Sequence, residues 1–490
     1  MQKISCPSCG GEVVFRSAAS VMAVCEYCSS TLLKDADSVK DIGKVSEVLE
    51  DYSPLQITSS GIFQGNHFGV VGRIQLRYED GFWNEWHILF DDGSSGWLSD
   101  ASGQFVVTLP QPAAAASTPR FEVLKPGTSF AYGGATFFAS DVRTARCISW
   151  EGELPFRVSQ GWLAKVADFR YAGRFLSLDY SDGEIPQIFA GEAVTLEQLK
   201  CQLLRDNDAV VGTSGKFKGQ TVALDCPSCG ASVKYMAGMA FHLVCSSCHA
   251  EIDCSTDKAL VLQKAEELSH ITTTLSLGDT GTIDGVKYEA IGLLQCGSDD
   301  EGESSTWVEY LLFNPDSGFL WLVESTEQWD KVAVLNEWPG QSKSETVDIK
   351  GKKFSKLYDY DSEVLYAAGA FNWRVSVGDK THITDFGKGF SKVSAESNSN
   401  EIVWTMSQQV PEVEVRKWFG KVASEEAADS AHAGVLSFKP AIVLTALLAL
   451  LNVPISFASG MHGIKIIFWS LVVIWAPVLI MRYFGKKADA

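Results

Sequence analysis

The chain repeats itself at a nearly constant distance. Every cysteine of an N-terminal group recurs 220 residues later, so that Cys6, Cys9, Cys25 and Cys28 correspond to Cys226, Cys229, Cys245 and Cys248. The distance is 224 where Trp83 to Leu98 matches Trp307 to Leu322, and 217 where Gly134 matches Gly351. A repeat of about 200 residues restricts the fold to two copies of one multidomain unit.

The positions at which the repeat distance changes mark exposed loops, because insertions are tolerated where the backbone is exposed. One such loop is a Pro/Ala stretch near 110–120, which could divide the first β-rich part into two sub-domains. The predicted boundaries are zinc ribbon 1–33, helix 34–51, β-rich domain 52–204, zinc ribbon 220–254, helix 255–270, β-rich domain 271–420, linker 421–438 and two transmembrane helices within 439–482.

The eight repeated cysteines form four Cys-x-x-Cys pairs, two in each copy. Two such pairs separated by fifteen residues can supply four thiolates to one tetrahedral ion, and Zn²⁺ prefers sulfur in this arrangement. The predicted metal ligands are Cys6, Cys9, Cys25 and Cys28 for one Zn²⁺ and Cys226, Cys229, Cys245 and Cys248 for the other. A site filled by four protein ligands leaves no position for water, so both sites are expected to be structural.

Two alternatives to zinc remain open at this point. Iron also binds to four thiolates, and the spacing does not exclude it. A redox-active pair would need a thioredoxin-like βαβ context, which the sequence around the pairs lacks. The other cysteines, Cys147, Cys201, Cys254 and Cys296, are expected to be small buried hydrophobic residues.

The rest of each copy is predicted to be mainly β. Asn314 to Gly318 has the composition of a turn between two paired strands, Trp307 to Phe313 and Phe319 to Val323. Short strands with regular turns indicate small β-barrel or β-sandwich domains. Apolar residues three positions apart predict the two short linking helices: Val39, Ile42, Val45 and Val48 in the first copy, and Ala259, Leu262, Ala265 and Leu268 in the second.

The composition limits the kinds of partner. The net charge of -19 over 490 residues repels phosphate backbones, so nucleic acid is a disfavoured partner. Between Pro440 and Met481 only Lys465 carries a formal charge, which predicts two transmembrane helices, 440–457 and 464–481. Lys439 and Arg482 flank these spans, and the positive-inside rule then places both termini in the cytoplasm at a bacterial inner membrane.

No catalytic constellation is evident in the sequence, so the chain is not expected to be an enzyme. The Trp-x-Glu-aromatic pattern places Trp83 and Glu85 on one strand face and Trp86 on the other. Such a glutamate could lie in an aromatic pocket with a raised pKa. The expected arrangement is nevertheless an aromatic core with Glu85 facing water or capping a turn.

The residues of the β-rich parts resemble a known family. Gly65 to Gly72, Trp83 to Leu98 and Glu153 to Val158 are similar to the bacterial domain of unknown function 4178, over most of 52–204 and again over 271–419. The resemblance implies accessory proteins that accompany polyamine-synthesis-like enzymes and membrane-stress proteins, without an established activity. Tyr310 replaces Trp86 in the second copy, so a ligand pocket could differ between the copies.

Three functions follow as hypotheses. The preferred one is a membrane-anchored scaffold or adaptor that binds partner proteins, favoured by the duplication and by structural metal sites. The second is a small-molecule sensor or enzyme that uses an aromatic pocket in a β domain, which requires polar groups converging in a deep cleft. The third is a zinc-ribbon nucleic-acid binder, which requires a basic surface. Burial of Glu85 and Glu309 beside a cavity would favour the second hypothesis.

Overall fold

In a computed structural model, the chain folds almost entirely into β-strands. The structure describes residues 2–17, 20–35, 38–44, 53–101, 103–112, 118–159, 161–205, 222–235, 242–254, 260–263, 271–300, 303–314, 317–326, 328–339, 341–343 and 345–421. The chain forms two compact units, Met1–Glu412 and Val413–Ala490. The second unit is described only as far as residue 421.

The first copy of the repeat contributes strands β1 to β15. Their bounds are β1 (Gln2–Ser5), β2 (Glu12–Phe15), β3 (Met22–Val24), β4 (Ser30–Asp35), β5 (Ser38–Lys44), β6 (Ser60–Phe63), β7 (Asn66–Arg77), β8 (Phe82–Phe90), β9 (Ser95–Ala101), β10 (Gln104–Gln111), β11 (Ser129–Tyr132), β12 (Ala135–Leu154), β13 (Leu163–Tyr171), β14 (Arg174–Asp179) and β15 (Gln187–Val194). A 3-10 helix covers Phe121–Val123.

The second copy contributes strands β16 to β31. Their bounds are β16 (Val222–Asp225), β17 (Ser232–Tyr235), β18 (His242–Val244), β19 (Glu251–Asp253), β20 (Leu260–Gln263), β21 (Thr280–Ile283), β22 (Val286–Asp300), β23 (Glu303–Asn314), β24 (Gly318–Glu324), β25 (Trp329–Val334), β26 (Gln341–Lys343), β27 (Thr346–Ile349), β28 (Lys352–Phe371), β29 (Lys380–Lys388), β30 (Ser391–Ser397) and β31 (Ile402–Val410). Helix α1 (Glu412–Trp418) follows β31.

Eight strands of each copy close into a barrel. In the first copy the hydrogen-bonded neighbours run β7, β8, β9, β10, β15, β14, β13 and β12, and β12 pairs again with β7. In the second copy β22, β23, β24, β25, β31, β30, β29 and β28 close in the same way through β28 and β22. An eight-stranded barrel has an interior wide enough for packed side chains or for one small ligand. We call these two units barrel 1 and barrel 2.

Glycine allows the two halves of each barrel to meet along one seam. Gly72 of β7 pairs with Gly152 of β12, and a Cβ on Gly72 would lie 2.0 Å from the carbonyl oxygen of Glu153. In barrel 2, Gly292 pairs with Gly369. Only glycine fits where two backbones approach this closely, which explains why Gly72 recurs as Gly292.

Hydrophobic side chains pack on both faces of the wall of barrel 1, in separate clusters on the outer and the inner face. On β8, Trp86 and Ile88 belong to an outer cluster with Leu98, whereas Trp83 and Glu85 alternate with them and face the interior. Successive side chains of a strand point to opposite faces, so the sequence pattern alone separates the two sets. The predicted division of Trp83 and Glu85 from Trp86 is confirmed.

The prediction of two sub-domains split near 110–120 is wrong. Four strands of barrel 1 precede this stretch and four follow it, but β10 pairs with β15 and β12 pairs with β7. The stretch therefore connects two halves of one closed sheet. The predicted mainly β fold is confirmed, and so is the hairpin of the second copy, in which Phe313 pairs with Phe319.

The two predicted linking helices are wrong over the residues that the structure describes. Within 34–51, residues 38–44 form β5, which pairs with β4 through Lys34 and Val39. Within 255–270, residues 260–263 form β20, which pairs with β19. The apolar residues three apart are largely β-branched in the first copy, and a neighbouring strand edge offers them a hydrogen-bonded ladder that a short isolated helix lacks. Residues 45–52, 255–259 and 264–270 lie outside the described part.

In the described residues, no helix is both long enough and apolar enough to cross a membrane. The predicted spans at 440–457 and 464–481, together with nearly all of the linker at 421–438, lie outside the described residues. Helix α1 has seven residues and carries Arg416 and Lys417 in its last turn.

Candidate metal centres and ligand cavity

The first ribbon presents each Cys-x-x-Cys pair on a tight turn between two strands. The amide of Gly10 donates to the carbonyl of Cys6 at 2.9 Å, and the amide of Ser29 donates to the carbonyl of Cys25 at 2.9 Å. Gly10 and Ser29 both have positive φ, 77° and 57°. This left-handed residue turns the chain back after each pair, so that the thiols of both pairs converge.

The second ribbon repeats the same turns. The amide of Gly230 donates to Cys226 at 2.8 Å, and the amide of His249 donates to Cys245 at 2.7 Å. Gly230 and His249 have φ values of 76° and 53°. His249 therefore occupies the position in the second ribbon that Ser29 has in the first, as the left-handed residue of the turn.

The structure brings the eight predicted ligands together in two groups of four. The ligand atoms in each group lie within 4.8 Å of one another. The closest Sγ pairs are Cys6–Cys28 at 3.7 Å, Cys9–Cys25 at 3.6 Å, Cys226–Cys248 at 3.7 Å and Cys229–Cys245 at 3.8 Å. A tetrahedron with Zn–S bonds of about 2.3 Å has edges of about 3.8 Å. Both groups therefore have the dimensions of a site for one thiolate-bound metal ion.

Local donors favour the thiolate of Cys28 in the first group. The side chain and backbone of Ser30 hydrogen-bond to Cys28 and lower the pKa of its thiol to about 6. The amide of Gly11 also points to Cys9 Sγ at 3.4 Å. Amide and hydroxyl donors around metal-bound sulfur stabilise the charge of the thiolates.

The remaining cysteines do not join these groups. Cys147 and Cys296 are buried, and Cys201 and Cys254 are partly buried. Burial raises the pKa of Cys201 to about 11 and that of Cys254 to about 12. They are packed thiols that resist ionisation, as predicted, and Cys254 and His249 stay outside the ligand set.

Both ribbons are joined to the barrels through strand pairing. The spacers between the Cys pairs contain strands, and over the part of each spacer that the structure describes these strands do not pair with each other. β2 pairs with β1, whereas β3 pairs with β4 and with the end of barrel strand β12. In the second copy, β18 pairs with β28. The second half of each ribbon thus extends the sheet of its barrel.

A buried carboxylate fixes the first ribbon to barrel 1. Glu153 is 1% exposed, and its Oε2 accepts hydrogen bonds from the amide of Arg16 at 2.7 Å and from Ser20 Oγ at 2.8 Å. Arg16 adds an ion pair at 3.2 Å. Several donors on one buried carboxylate make a rigid joint, because each would lose a partner if the ribbon moved.

Barrel 1 encloses a cavity of about 540 Å³. All eight barrel strands contribute to its wall, on the alternating positions that point inward. Its apolar wall is largely aromatic and includes Trp83, Trp97, Phe156, Trp162 and Phe175. The charged residues of the lining are Glu85, Asp141, Asp168, Asp179, Asp182, Glu401, Arg143 and Arg170.

Glu85 faces this cavity from the middle of β8. Its carboxylate accepts hydrogen bonds from Trp83 Nε1 at 2.8 Å and from Ser99 Oγ at 2.7 Å. Burial raises its pKa to about 7, against the stabilising effect of these two donors, and the charges of Asp168 and Asp179 raise it further. The prediction that Glu85 faces water or caps a turn is therefore wrong, since the pattern of one strand does not reveal closure of the sheet.

The pKa values of three other carboxylates of the lining are raised as well. Burial raises the pKa of Asp168 and that of Asp179. Burial also raises the pKa of Asp141 to about 7, although Arg143 opposes this shift. Arg143 bonds to Asp141 within the first copy and to Glu401 of the second copy, the latter at 2.9 Å.

Residues of the second copy complete the wall. Leu335, Trp338 and Ile402 line the cavity along with Glu401, and the amide of Trp338 donates to the carbonyl of Ala172 in barrel 1 at 2.9 Å. The cavity therefore depends on both copies of the repeat. No signal in the sequence indicates this contribution, because contacts between copies are invisible in a comparison of one copy with the other.

The two repeated tryptophans of the Trp-Leu motif are interior residues. Trp97 lines the cavity and packs on Phe156 with ring centroids 5.9 Å apart. Trp321 packs on Trp373 at 5.6 Å. Both side chains therefore pack against other aromatic rings in their own copy of the repeat.

Comparison with known families agrees with the resemblance in the sequence. The model of the domain of unknown function DUF4178 matches residues 56–196 and 276–412, which enclose nearly all of barrel 1 and barrel 2. Curated proteins yield no match to the chain. The two matched regions cover more than half of the 490 residues. The chain belongs to the DUF4178 family and contains two copies of its domain, each preceded by a cluster of four cysteines.

Proposed function

We propose that barrel 1 is a small-molecule binding domain. The observation that supports this function best is the cavity of about 540 Å³ inside the barrel, with the half-buried Glu85 in its wall. Ligand pockets typically have volumes of about 300–1,000 Å³, apolar walls and a few convergent polar groups. An apolar interior without a function would be filled by side chains, because protein interiors are close-packed.

The proposal includes Zn²⁺ in both four-cysteine clusters. Zn²⁺ would be held by all four thiolates of each cluster, which leaves no position for a substrate, so it supplies structural stability. Each ribbon would then be a rigid brace on its barrel, through β3 on β12 and through β18 on β28. The dimensions of the clusters support this assignment.

The cavity can be tested with the full chain and a library of small organic cations, anions and neutral molecules, using saturation-transfer NMR. Val166 lines the cavity, so Val166→Trp is expected to abolish the signals of bound molecules by filling the space. The matched variant Ile383→Trp changes the corresponding position of barrel 2 and is expected to preserve them. Circular dichroism controls for folding. The absence of any bound molecule would contradict the proposal, and so would equal binding by both variants.

A membrane tether is a second, compatible proposal. It is supported by the sequence between Pro440 and Met481, in which Lys465 is the only formally charged residue. We propose a chain anchored at the inner face of a bacterial membrane, with both termini in the cytoplasm, where it acts as an adaptor for other proteins. Tethering would raise the local concentration of the binding domains. The net charge of -19 leaves nucleic acid outside this proposal.

A further inference from the structure

The duplication reveals which polar groups of the barrel interior recur. Three carboxylates of barrel 1 have a carboxylate at the corresponding position of barrel 2, where Glu85, Asp168 and Asp179 correspond to Glu309, Asp385 and Glu396. The pairing of strands confirms the correspondence, because Asp168 pairs with Asp141 on β12 and Asp385 pairs with Tyr358 at the equivalent position of β28. Both barrels therefore hold three carboxylates at corresponding positions.

The donors to these carboxylates recur as well. Trp83 Nε1 donates to Glu85 at 2.8 Å, and Trp307 Nε1 donates to Glu309 at 2.6 Å. Ser394 Oγ donates to Asp385 at 2.5 Å, and Ser177 makes the same kind of bond to Asp168. Glu85 and Glu309 therefore have the same kind of donor, and so do Asp168 and Asp385.

Barrel 2 places its own ammonium group among these carboxylates. Lys392 Nζ lies 3.0 Å from Asp385 Oδ2, and Asp385 is fully buried. Burial opposes the charge of Lys392, but the attraction of Asp385 outweighs it and raises the pKa of the lysine. The charge of Lys392 also acts on Glu309 and Glu396 and stabilises their ionised forms.

Barrel 1 has no lysine at this place. Phe175 corresponds to Lys392, and its strand partner Arg170 corresponds to Gly387. The guanidinium of Arg170 lies over the Phe175 ring, 5.0 Å from its centroid, and its charge acts on Asp168 and Asp141. Where barrel 2 has the flexible ammonium group of Lys392, barrel 1 therefore has the ring of Phe175 with the guanidinium of Arg170 over it.

Glu85 and Asp179 accept hydrogen bonds only from neutral groups among the described residues, as do their counterparts Glu309 and Glu396. The difference between the barrels is the charge of Lys392, which acts on both counterparts but has no equivalent beside Glu85 and Asp179 in the described part of the chain. Glu85 accepts from Trp83 and Ser99. Asp179 accepts from the amide of Ser181, at 2.8 Å, and from its hydroxyl. The lining as a whole contains six carboxylates and two arginines. Buried carboxylates without a cation are costly, so the cavity strongly favours an incoming positive charge.

We infer that the cavity of barrel 1 takes an organic cation, whose ammonium group binds to Glu85 and Asp179 at the place that Lys392 occupies in barrel 2. This inference rests on the proposed small-molecule function of the same cavity and specifies its ligand class. The aromatic walls, Trp83, Trp97 and Trp162, suit the apolar body of such a ligand and stabilise its charge through cation–π contacts. In barrel 2 Lys392 supplies the positive charge, since it pairs with Asp385 and its charge stabilises the ionised forms of Glu309 and Glu396.

The test compares three molecules of similar shape and different charge on the full chain at pH 8: phenethylamine, 2-phenylethanol and 3-phenylpropanoate. Isothermal titration calorimetry is expected to give the amine at least about ten-fold higher affinity than the alcohol, since a charge-assisted hydrogen bond is lost with the alcohol. The carboxylate is expected to bind weakest. Affinity for the amine is expected to rise between pH 6 and pH 8, because Glu85, with a pKa of about 7, loses its proton over this range.

Variants separate the role of the carboxylate from that of the cavity. Glu85→Gln is expected to weaken binding of the amine about ten-fold or more and to leave the alcohol unchanged. The matched variant Glu309→Gln, in barrel 2, is expected to leave amine binding unchanged. Phe175→Lys copies Lys392 into barrel 1 and is expected to abolish amine binding, with folding checked by circular dichroism.

The outcomes distinguish this inference from the proposed function. Equal affinity for the amine and the alcohol would overturn the cation and leave the cavity as a binding site. The cation would also be overturned if library molecules bind to the unchanged chain and not to Val166→Trp while the amine does not bind. The cavity would again remain a binding site. No binding of any molecule would contradict both. If Glu85→Gln and Glu309→Gln reduce the affinity for the amine equally, the placement of the ammonium in barrel 1 would also be overturned.

Discussion

At the scale of single residues, the environment of Glu85 decides its chemistry. A glutamate on a half-exposed strand would titrate normally, but closure of the barrel removes Glu85 from bulk water and raises its pKa to about 7. Trp83 and Ser99 orient the carboxylate without neutralising it. At neutral pH, Glu85 is therefore present both as the neutral carboxylic acid and as the carboxylate, and the carboxylate attracts a cation.

This shift predicts a pH dependence of stability. Since the pKa of Glu85 is higher in the folded chain than its ordinary value of 4.5, its contribution to stability is greatest below about pH 4.5 and is lost as the pH rises through 7. Glu85→Gln is expected to raise the stability at pH 8 by up to about 3 kcal/mol relative to the unchanged chain, and to have a much smaller effect at pH 5. Thermal unfolding at both values measures the difference.

Glu184 is exposed, so Glu184→Gln serves as the control for removal of one negative charge. It is expected to change stability equally, and only slightly, at the two pH values. A loss of stability in Glu85→Gln at pH 8 would show that the carboxylate is neutralised in the folded chain and would contradict the assigned environment.

At the scale of structural elements, the close crossing of β7 and β12 gives a sharp prediction. A methyl group on Gly72 would meet the backbone of Glu153, whereas Gly69 on the same strand has open space within 4 Å of the added Cβ. Gly72→Ala is expected to destabilise the barrel by about 1–3 kcal/mol or more, because backbone cannot move aside as a flexible side chain does. Gly69→Ala is the matched control and is expected to be neutral or mildly stabilising. Similar melting temperatures of the two variants would contradict the crossing geometry.

The metal clusters give a second prediction at this scale. The purified chain is expected to contain two Zn²⁺ ions, and Cys6→Ser is expected to reduce this to one, because each cluster uses only its own four thiolates. Elemental analysis counts the ions and identifies the metal. Cys147→Ser changes a buried cysteine outside the clusters and is expected to retain both ions. Iron in the purified chain, or a loss of both ions in Cys6→Ser, would contradict this assignment.

Some structural elements were predictable from the sequence and others were not. The spacing of the cysteines identified both clusters, because four ligands around one ion impose a local pattern. The hairpin around Asn314 was predictable from turn residues for the same reason. The linking helices were mispredicted, since the pairing of Val39 with Lys34 on a neighbouring strand overrides a helical pattern. The cavity was not predictable from the sequence, because it depends on the pairing of β7 with a strand about 70 residues later.

At the scale of the whole molecule, duplication has produced two barrels with related interiors and different contents. Barrel 1 contains a cavity that residues of the second copy help to line, while barrel 2 contains Lys392 among the recurring carboxylates. Contacts such as Arg143 with Glu401 connect the copies. Under the proposed function, barrel 1 binds the ligand and the second copy supports the wall of the cavity.

The membrane tether belongs to this scale and predicts a topology. A cysteine introduced as Gly460→Cys lies between the two proposed spans, so an impermeant maleimide added to intact cells is expected to label it from outside. The unchanged chain is expected to stay unlabelled, because its native cysteines precede the first span. Complete protection of Gly460→Cys in intact cells, with labelling after permeabilisation, would contradict a crossing hairpin.

The central claim, that barrel 1 binds an organic cation in its interior, is tested most directly by a crystal structure of the full chain with phenethylamine. The account predicts the ammonium nitrogen about 2.7–3.0 Å from carboxylate oxygens of Glu85 or Asp179, with the phenyl ring against the tryptophans of the wall. A structure in which the amine lies outside barrel 1, or in which the ring is inside and the ammonium points away from both carboxylates, would contradict it.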